Sequence, residues 1–394
     1  MAGSAVRVMG QKGLEVASLL PRPIRSRIGG RRLDWEDGAE AAVAVARPGI
    51  ARLIIGPTNF AGQGYEWARA ADLLPGVSAV NLERTGGNGV GGFATDYGVD
   101  PRVNDFSATW ARRQERALRG FTHVLIEAGI PLFSAARREM LTSHVRRLQG
   151  MGLEVGLIWH GSDVRLPGLH ASLEEFSPFL DEDFARPAYR TTAWAHRAAD
   201  TLGVPEFVST PDLLEFRPRA TWLPTVVSAE EYSPSPEPPR PHRPVVVHAP
   251  SYAPIKGTTF IRAAGEKLAA EGIIDYVEVS GVTRAEVKEL VRTSDIVVDS
   301  LTVGPYGVAS IETMLLERVA VANVWESARN HITGATGLTS PVVQANPLTI
   351  EDVLRGLALD PERRATLGKQ GRAFASEVHS RDYAAQVLAP FLGA

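Results

Sequence analysis

"VVVHAPSYAPIKGTTFIRAA", residues 245–264, decides how this chain folds. A continuously apolar run is followed by a turn of small residues and prolines, then by a helical pattern. A strand that is apolar on both faces belongs to a parallel sheet covered by helices on both sides. The first half of the chain opens in the same way, with "LIIGPTNFAGQGYEWARAA" at 53–71. The two stretches share an architecture, not a sequence.

The same alternation extends outward from both. In the first half the apolar runs predict strands at 51–56, 77–82, 122–127, 154–159 and 206–209, with helices at 63–73, 106–118, 134–150 and 186–202. In the second half strands are expected at 244–249, 275–280, 295–300 and 319–324, and helices at 257–271, 283–293 and 307–318. Strand and helix in turn predict an α/β chain of two Rossmann-like, doubly wound domains facing a cleft. The proline-dense "YSPSPEPPRPHRP" at 232–244 can continue neither a helix nor a central strand and reads as the linker. The expected units are a basic extension (1–48), a first domain (49–231), a second domain (245–378) and a C-terminal helix (379–394) packing back on the first domain.

Composition narrows the function. The chain has 394 residues, a formal net charge of −3 and no cysteine. Disulfides, thiolate metal sites and cysteine nucleophiles are excluded, and the charge gives no reason to expect nucleic acid as a partner. No apolar run reaches the roughly 20 residues of a spanning helix, and Glu15 interrupts "LEVASLL" where a signal peptide would need continuity. The expected location is cytoplasmic. The basic residues Arg7, Lys12, Arg22, Arg25, Arg27, Arg31 and Arg32 allow a peripheral contact with the inner face of the membrane, although a basic arm packed on the body is the plainer reading.

Ligands of open α/β sheets bind beyond the carboxyl ends of the strands, so four turns after strands are the candidates. Lys256 and Gly257 come first. Lysine stands at only five positions among 42 basic residues, so one placed between a strand and a helix start points to phosphate. The second is "DSLTVGPYGVASIETM", 299–314, where a glycine loop around Gly304 and Gly307 opens a helix carrying Glu312. Its free N–H groups suit a diphosphate, and Glu312 suits the hydroxyls of a ribose. The third is "LIWHGSDVRLP", 157–167, in which His160 and Asp163 follow a strand. Asp163 reads equally well as a cap paired with Arg165. The fourth is "GPTNFAGQG", 56–64, whose Gly62, Gln63 and Gly64 allow a ligand close approach; it lacks the dinucleotide spacing. The glycine-rich stretch 85–98 is expected to be an acceptor loop, and "DED" at 181–183 a solvated loop.

Together these motifs resemble the glycosyltransferases of the GT-B fold, specifically the family 4-like retaining enzymes. The resemblance runs from about residue 50 to the end and is strongest in "HAPSYAPIKGT", "DIVVDSLTVGPYGVASIETM" and "IWHGSDVR". It implies transfer of a sugar from a nucleotide-sugar donor to an unknown acceptor, with retention, no cofactor and no metal. Lys256 would contact the donor diphosphate, helped by backbone amides around Tyr306, Gly307 and Val308. Glu312 would bind the ribose, and His160 would lie near the donor sugar. The sequence departs from the family at Gly304, where a glutamate is common, and at Ser251, where an arginine is common. A non-catalytic GT-B protein and a nucleotide-sugar epimerase are the alternatives.

Overall fold

The computed structural model describes residues 40–85, 93–133, 140–234 and 242–394. The first domain contains β1 (Ala51–Gly56), α1 (Gln63–Ala71), β2 (Val77–Arg84), β3 (Tyr97–Val99), α2 (Pro101–Phe106), α3 (Ala108–Leu118), β4 (His123–Glu127), α4 (Leu141–Gly150), β5 (Glu154–Trp159), α5 (Pro167–Leu173), α6 (Glu182–Leu202), β6 (Glu206–Val208) and β7 (Thr221–Trp222). The second contains β8 (Val245–His248), α7 (Ala253–Lys256), α8 (Thr258–Ala270), β9 (Asp275–Glu278), α9 (Arg284–Thr293), β10 (Ile296–Val298), α10 (Val308–Leu315), β11 (Val319–Ala322), α11 (Glu326–Thr336), β12 (Val343–Gln344), α12 (Ile350–Leu359) and α13 (Pro361–Val378), and a last helix, α14 (Arg381–Leu392), follows it.

Every strand pairing is parallel. The first sheet has the order β3-β2-β1-β4-β5-β6-β7 and the second β12-β11-β10-β8-β9. In each, the chain runs outward from one central strand and then returns to its other side. The switch points therefore lie between β1 and β4 and between β8 and β10, where such sheets leave a crevice. Glu127 ends β4, and Asp299 follows β10.

The apolar strands are covered on both faces, as their composition requires. Leu53 and Ile55 of β1 pack with Trp67 of α1 and with Ala384, Leu388 and Leu392 of α14. Ile54 points the other way, into a cluster with Trp110 of α3 and Leu148 of α4. In the second domain Val246 and Ile296 pack with Ile261 of α8 and Leu354 of α12. The C-terminal helix thus lies in the core of the first domain, and Arg381 at its start holds Glu66 of α1 at 2.7 Å.

Several expected boundaries shift, each for a local reason. Ser107 divides the helix expected at 106–118 by leaving helical geometry and accepting the Trp110 N–H as the cap of α3. The helix expected at 186–202 starts at Glu182, because Asp181 accepts the N–H groups of Asp183 and Phe184. The 181–183 acidic run is therefore a helix start, not a solvated loop. Of the helix expected at 134–150, residues 134–139 lie outside the described residues, as do 86–92 of the expected acceptor loop. The end of that loop is strand β3. The first domain also begins before residue 49. Buried Ala44 exchanges two hydrogen bonds with the Gln114 side chain, and the Trp110 indole donates to the Ala42 carbonyl. Residues 1–39, which carry the basic segment expected at a membrane, lie outside the described residues. Among those that are described, no helix is long and apolar enough to cross a membrane.

Candidate functional site

At the second switch point the Lys256 ammonium meets a carboxylate. Gly257, at φ 72, ends the single turn of α7 and starts α8, so Lys256 is the last residue of a short helix and not part of an open loop. A left-handed φ there favours glycine, and a Cβ at 257 would also stand 3.0 Å from Thr302. From that position Lys256 Nζ lies 2.5 Å from Asp299 Oδ1. The other oxygen, Oδ2, accepts the Gly307 N–H at 2.7 Å and the Ser310 hydroxyl at 2.9 Å. Burial alone would raise the Asp299 pKa. The Lys256 charge and the hydrogen bonds from Lys256, Gly307 and Ser310 outweigh it and hold the carboxyl below its usual value. The start of α10 is thus already occupied by an anion from the protein.

Glu312 lies farther along α10 and is nearly buried. Its Oε1 accepts the Tyr232 hydroxyl at 2.5 Å and the Arg284 guanidinium at 3.3 Å. Burial, and then the adjacent Glu312 carboxylate, push the Tyr232 phenol well up, so it remains a donor. The apolar surroundings demanded a partner for this carboxylate. The protein supplies two of its own, one from the start of the linker. Among the described residues nothing is bonded to Oε2.

The expected contacts from 304–308 divide. Gly304 has φ 88, and a Cβ there would stand 2.5 Å from the Trp325 indole. Glutamate is therefore sterically excluded at this position. The Tyr306 side chain turns away from the cleft into the interior, where its hydroxyl pairs with His379 Nε2 at 2.8 Å. Val308 faces a cavity of ≈ 190 Å³ between the domains, lined also by Gly62, Gln63, Phe93 and Arg284.

Across the cleft the first domain gathers a second cluster. Gly62, at φ 76, caps α1 and packs against Phe93. Gly64 leaves room for Glu127 and Asn59, since a Cβ would stand 3.1 Å from Glu127 Oε2. Gln63 is not a free cleft side chain. Its amide exchanges hydrogen bonds of 3.0 and 2.7 Å with the Val226 backbone and ties α1 to the segment leading out of the domain. His160 Nε2 lies 3.3 Å from Glu127 Oε1, and its ring packs on Trp67 and Phe60. Asp163 turns back to accept the N–H groups of His160 and Gly161. It caps this turn but does not pair with Arg165, which reaches Asp212 at 2.6 Å instead. His160 and Lys256 thus sit in separate clusters, one in each domain.

Three charged residues of the site were not picked out from the sequence. Glu127 is fully buried at the first switch point and accepts the N–H groups of Thr58 and Asn59, both at 3.0 Å. Its signal is a carboxylate closing the apolar run "THVLIE". Asp299 is the same signal in "DIVVDS". Arg284 is the first residue of α9 and stacks over Phe93 at 4.3 Å. A cation at a helix N-terminus opposes the helix dipole, and that unfavourable placement was its signal.

Two parallel-sheet domains, a cleft between their carboxyl edges and a last helix returned to the first domain define the GT-B fold. No family model matches this sequence, and no curated protein does either. Among solved structures, sucrose-phosphate synthase from Thermosynechococcus elongatus aligns over 86% of this chain and 97% of its own, at 12% identity and a TM-score of 0.56. HepE of Anabaena, in complex with UDP-glucose, aligns over 86% of this chain and 98% of its own, at 13% identity and a TM-score of 0.53. A glycosyltransferase from Rickettsia africae gives the same coverage of 86% and 98%, at 12% identity and a TM-score of 0.53. At these identities the likeness is one of fold.

Proposed function

We propose that this protein is a retaining glycosyltransferase that works without a metal. The second domain binds a nucleotide-sugar and the first binds the acceptor. The observation that carries this reading is the convergence of Lys256 Nζ and the Gly307 N–H at the start of α10, with Glu312 on the same helix, at the switch point of a GT-B domain. A helix start and an ammonium are what a leaving diphosphate needs. That solved relatives in fold include one holding UDP-glucose supports a donor of this class.

In the reaction the bond from the anomeric carbon to the diphosphate breaks. The acceptor oxygen then bonds to that carbon from the same face and passes its proton to the departing diphosphate oxygen. Lys256 and the α10 amides stabilise the departing charge. His160, whose turn Asp163 caps, faces the donor sugar from the first domain. Arg284 is the second cation on the nucleotide side, where Ser251 supplies none.

Pure protein should be stabilised against heat by at least one member of a panel of UDP-, GDP-, ADP- and dTDP-sugars, because a ligand of the folded state alone raises its stability. It should also hydrolyse or transfer that donor. A panel with neither effect ends this reading. The ribose assignment has its own test. A 2′-deoxy nucleotide should bind the parent less well than the ribonucleotide, while Glu312→Gln should barely distinguish them. The coupling expected for groups in contact is ~0.5–3 kcal/mol. A coupling near zero leaves Glu312 serving only Tyr232 and Arg284.

A further inference from the structure

We infer that Asp299 is the resident anion of the donor site and sets how weakly the diphosphate is held there. The inference rests on the donor site proposed above and concerns the chemistry within it. Asp299 occupies the positions that phosphate oxygens would take. One oxygen is on the Lys256 ammonium at 2.5 Å, and the other is on the Gly307 N–H at 2.7 Å and the Ser310 hydroxyl at 2.9 Å. Only 3% of its side chain is exposed, so these contacts are not shared with bulk water.

The two ion pairs along α10 are each neutral in sum. Lys256 is matched by Asp299, and Arg284 by Glu312. Position 251 adds none. A nucleoside diphosphate carries two to three negative charges, and these side chains offer it no net positive charge. It must either displace the Asp299 carboxylate from Lys256 and Gly307 or lie beside it. Displacement leaves a buried anion without its partners, and adjacency sets like charges together at short range. In both cases the diphosphate adds little to binding. The nucleoside and the sugar carry the affinity, and the spent nucleoside diphosphate leaves readily.

Asp299→Asn keeps the shape and an oxygen that can accept the Gly307 N–H, and it releases the Lys256 charge. Titration calorimetry with UDP, GDP and ADP, each beside its nucleoside, reads the consequence. For the base that binds, Asp299→Asn should bind the diphosphate about tenfold tighter or more, with nucleoside affinity unchanged. Diphosphate binding that is unchanged or weaker in the variant overturns the inference and leaves Asp299 as the residue that positions Lys256. The parent protein gives a second measurement should the variant not fold. Its affinity for the diphosphate should exceed that for the nucleoside by no more than about tenfold, and a preference of about a hundredfold refutes the inference. The donor-site reading survives that result. If neither protein binds any of these nucleosides, nucleotides or the corresponding nucleotide-sugars, the donor site itself is refuted and this inference with it.

Discussion

Lys256→Ala should destabilise the protein by about 2–3 kcal/mol at neutral pH, and by less as the pH falls. The cost arises because Asp299 is left buried and ionised with only the Gly307 N–H and the Ser310 hydroxyl to hold it. It should fall short of the value for a fully buried pair because the Lys256 side chain keeps 21% of its exposure. The sign of the pH dependence follows from the carboxyl. In the parent the Asp299 pKa is held below its ordinary 3.8, so the pair contributes stability above that value and loses it as the pH drops through the native one. In the variant burial acts without the lysine, and Asp299 takes up a proton at a higher pH than in the parent. Urea unfolding at about pH 7 and about pH 5 should therefore show the gap between the two proteins narrowing on acidification. A gap that is constant across this range would mean the lysine stabilises by packing alone.

The elements that set the fold were the readable ones. β1 and β5 match their expected limits, because a fully buried parallel strand is a dense apolar run with abrupt ends. β3, β7 and β12 were missed because two or three residues show no period. The site was legible in position and less so in pairing. The turns holding Lys256, Gly307 and His160 all lie at carboxyl edges, as the alternation of elements required. Which group each side chain meets depends on partners brought in by the topology. Lys256 meets Asp299 because β8 and β10 are neighbours, and no spacing along the chain encodes that pairing. Glu312 meets Tyr232 across 80 positions. Gln63 stands between glycines, a setting that suits a ligand's approach, whereas its amide fits the Val226 backbone. Gly304 carries the opposite lesson. It stands where the family this chain resembles often has a glutamate, and Trp325 occupies the space such a side chain would need.

Asp212→Ala should have a larger effect on stability than Lys256→Ala, about 3–5 kcal/mol. Asp212 is fully buried and the Arg165 side chain keeps 6% of its exposure, so removing the carboxylate strands a guanidinium in the first domain. The change should also reach His160. Arg165 closes the turn after β5, with its N–H donating to the Gly161 carbonyl at 2.7 Å and its guanidinium packed against Gly161. A guanidinium drawn toward water would pull on that turn and shift the histidine. The pair itself is a single contact: among the described residues Asp212 Oδ1 and Arg165 Nε have no hydrogen-bond partner. Such a pair returns little of the energy needed to desolvate it, and an apolar replacement of similar volume is often neutral or better. The double change Arg165→Met with Asp212→Leu should therefore recover most of the stability that Asp212→Ala loses, as measured by denaturant unfolding. Recovery of stability with donor turnover still low would show that the pair orders the His160 turn. Recovery of both would make it a part of the core, and no recovery would mean that Asp212 acts through partners other than Arg165.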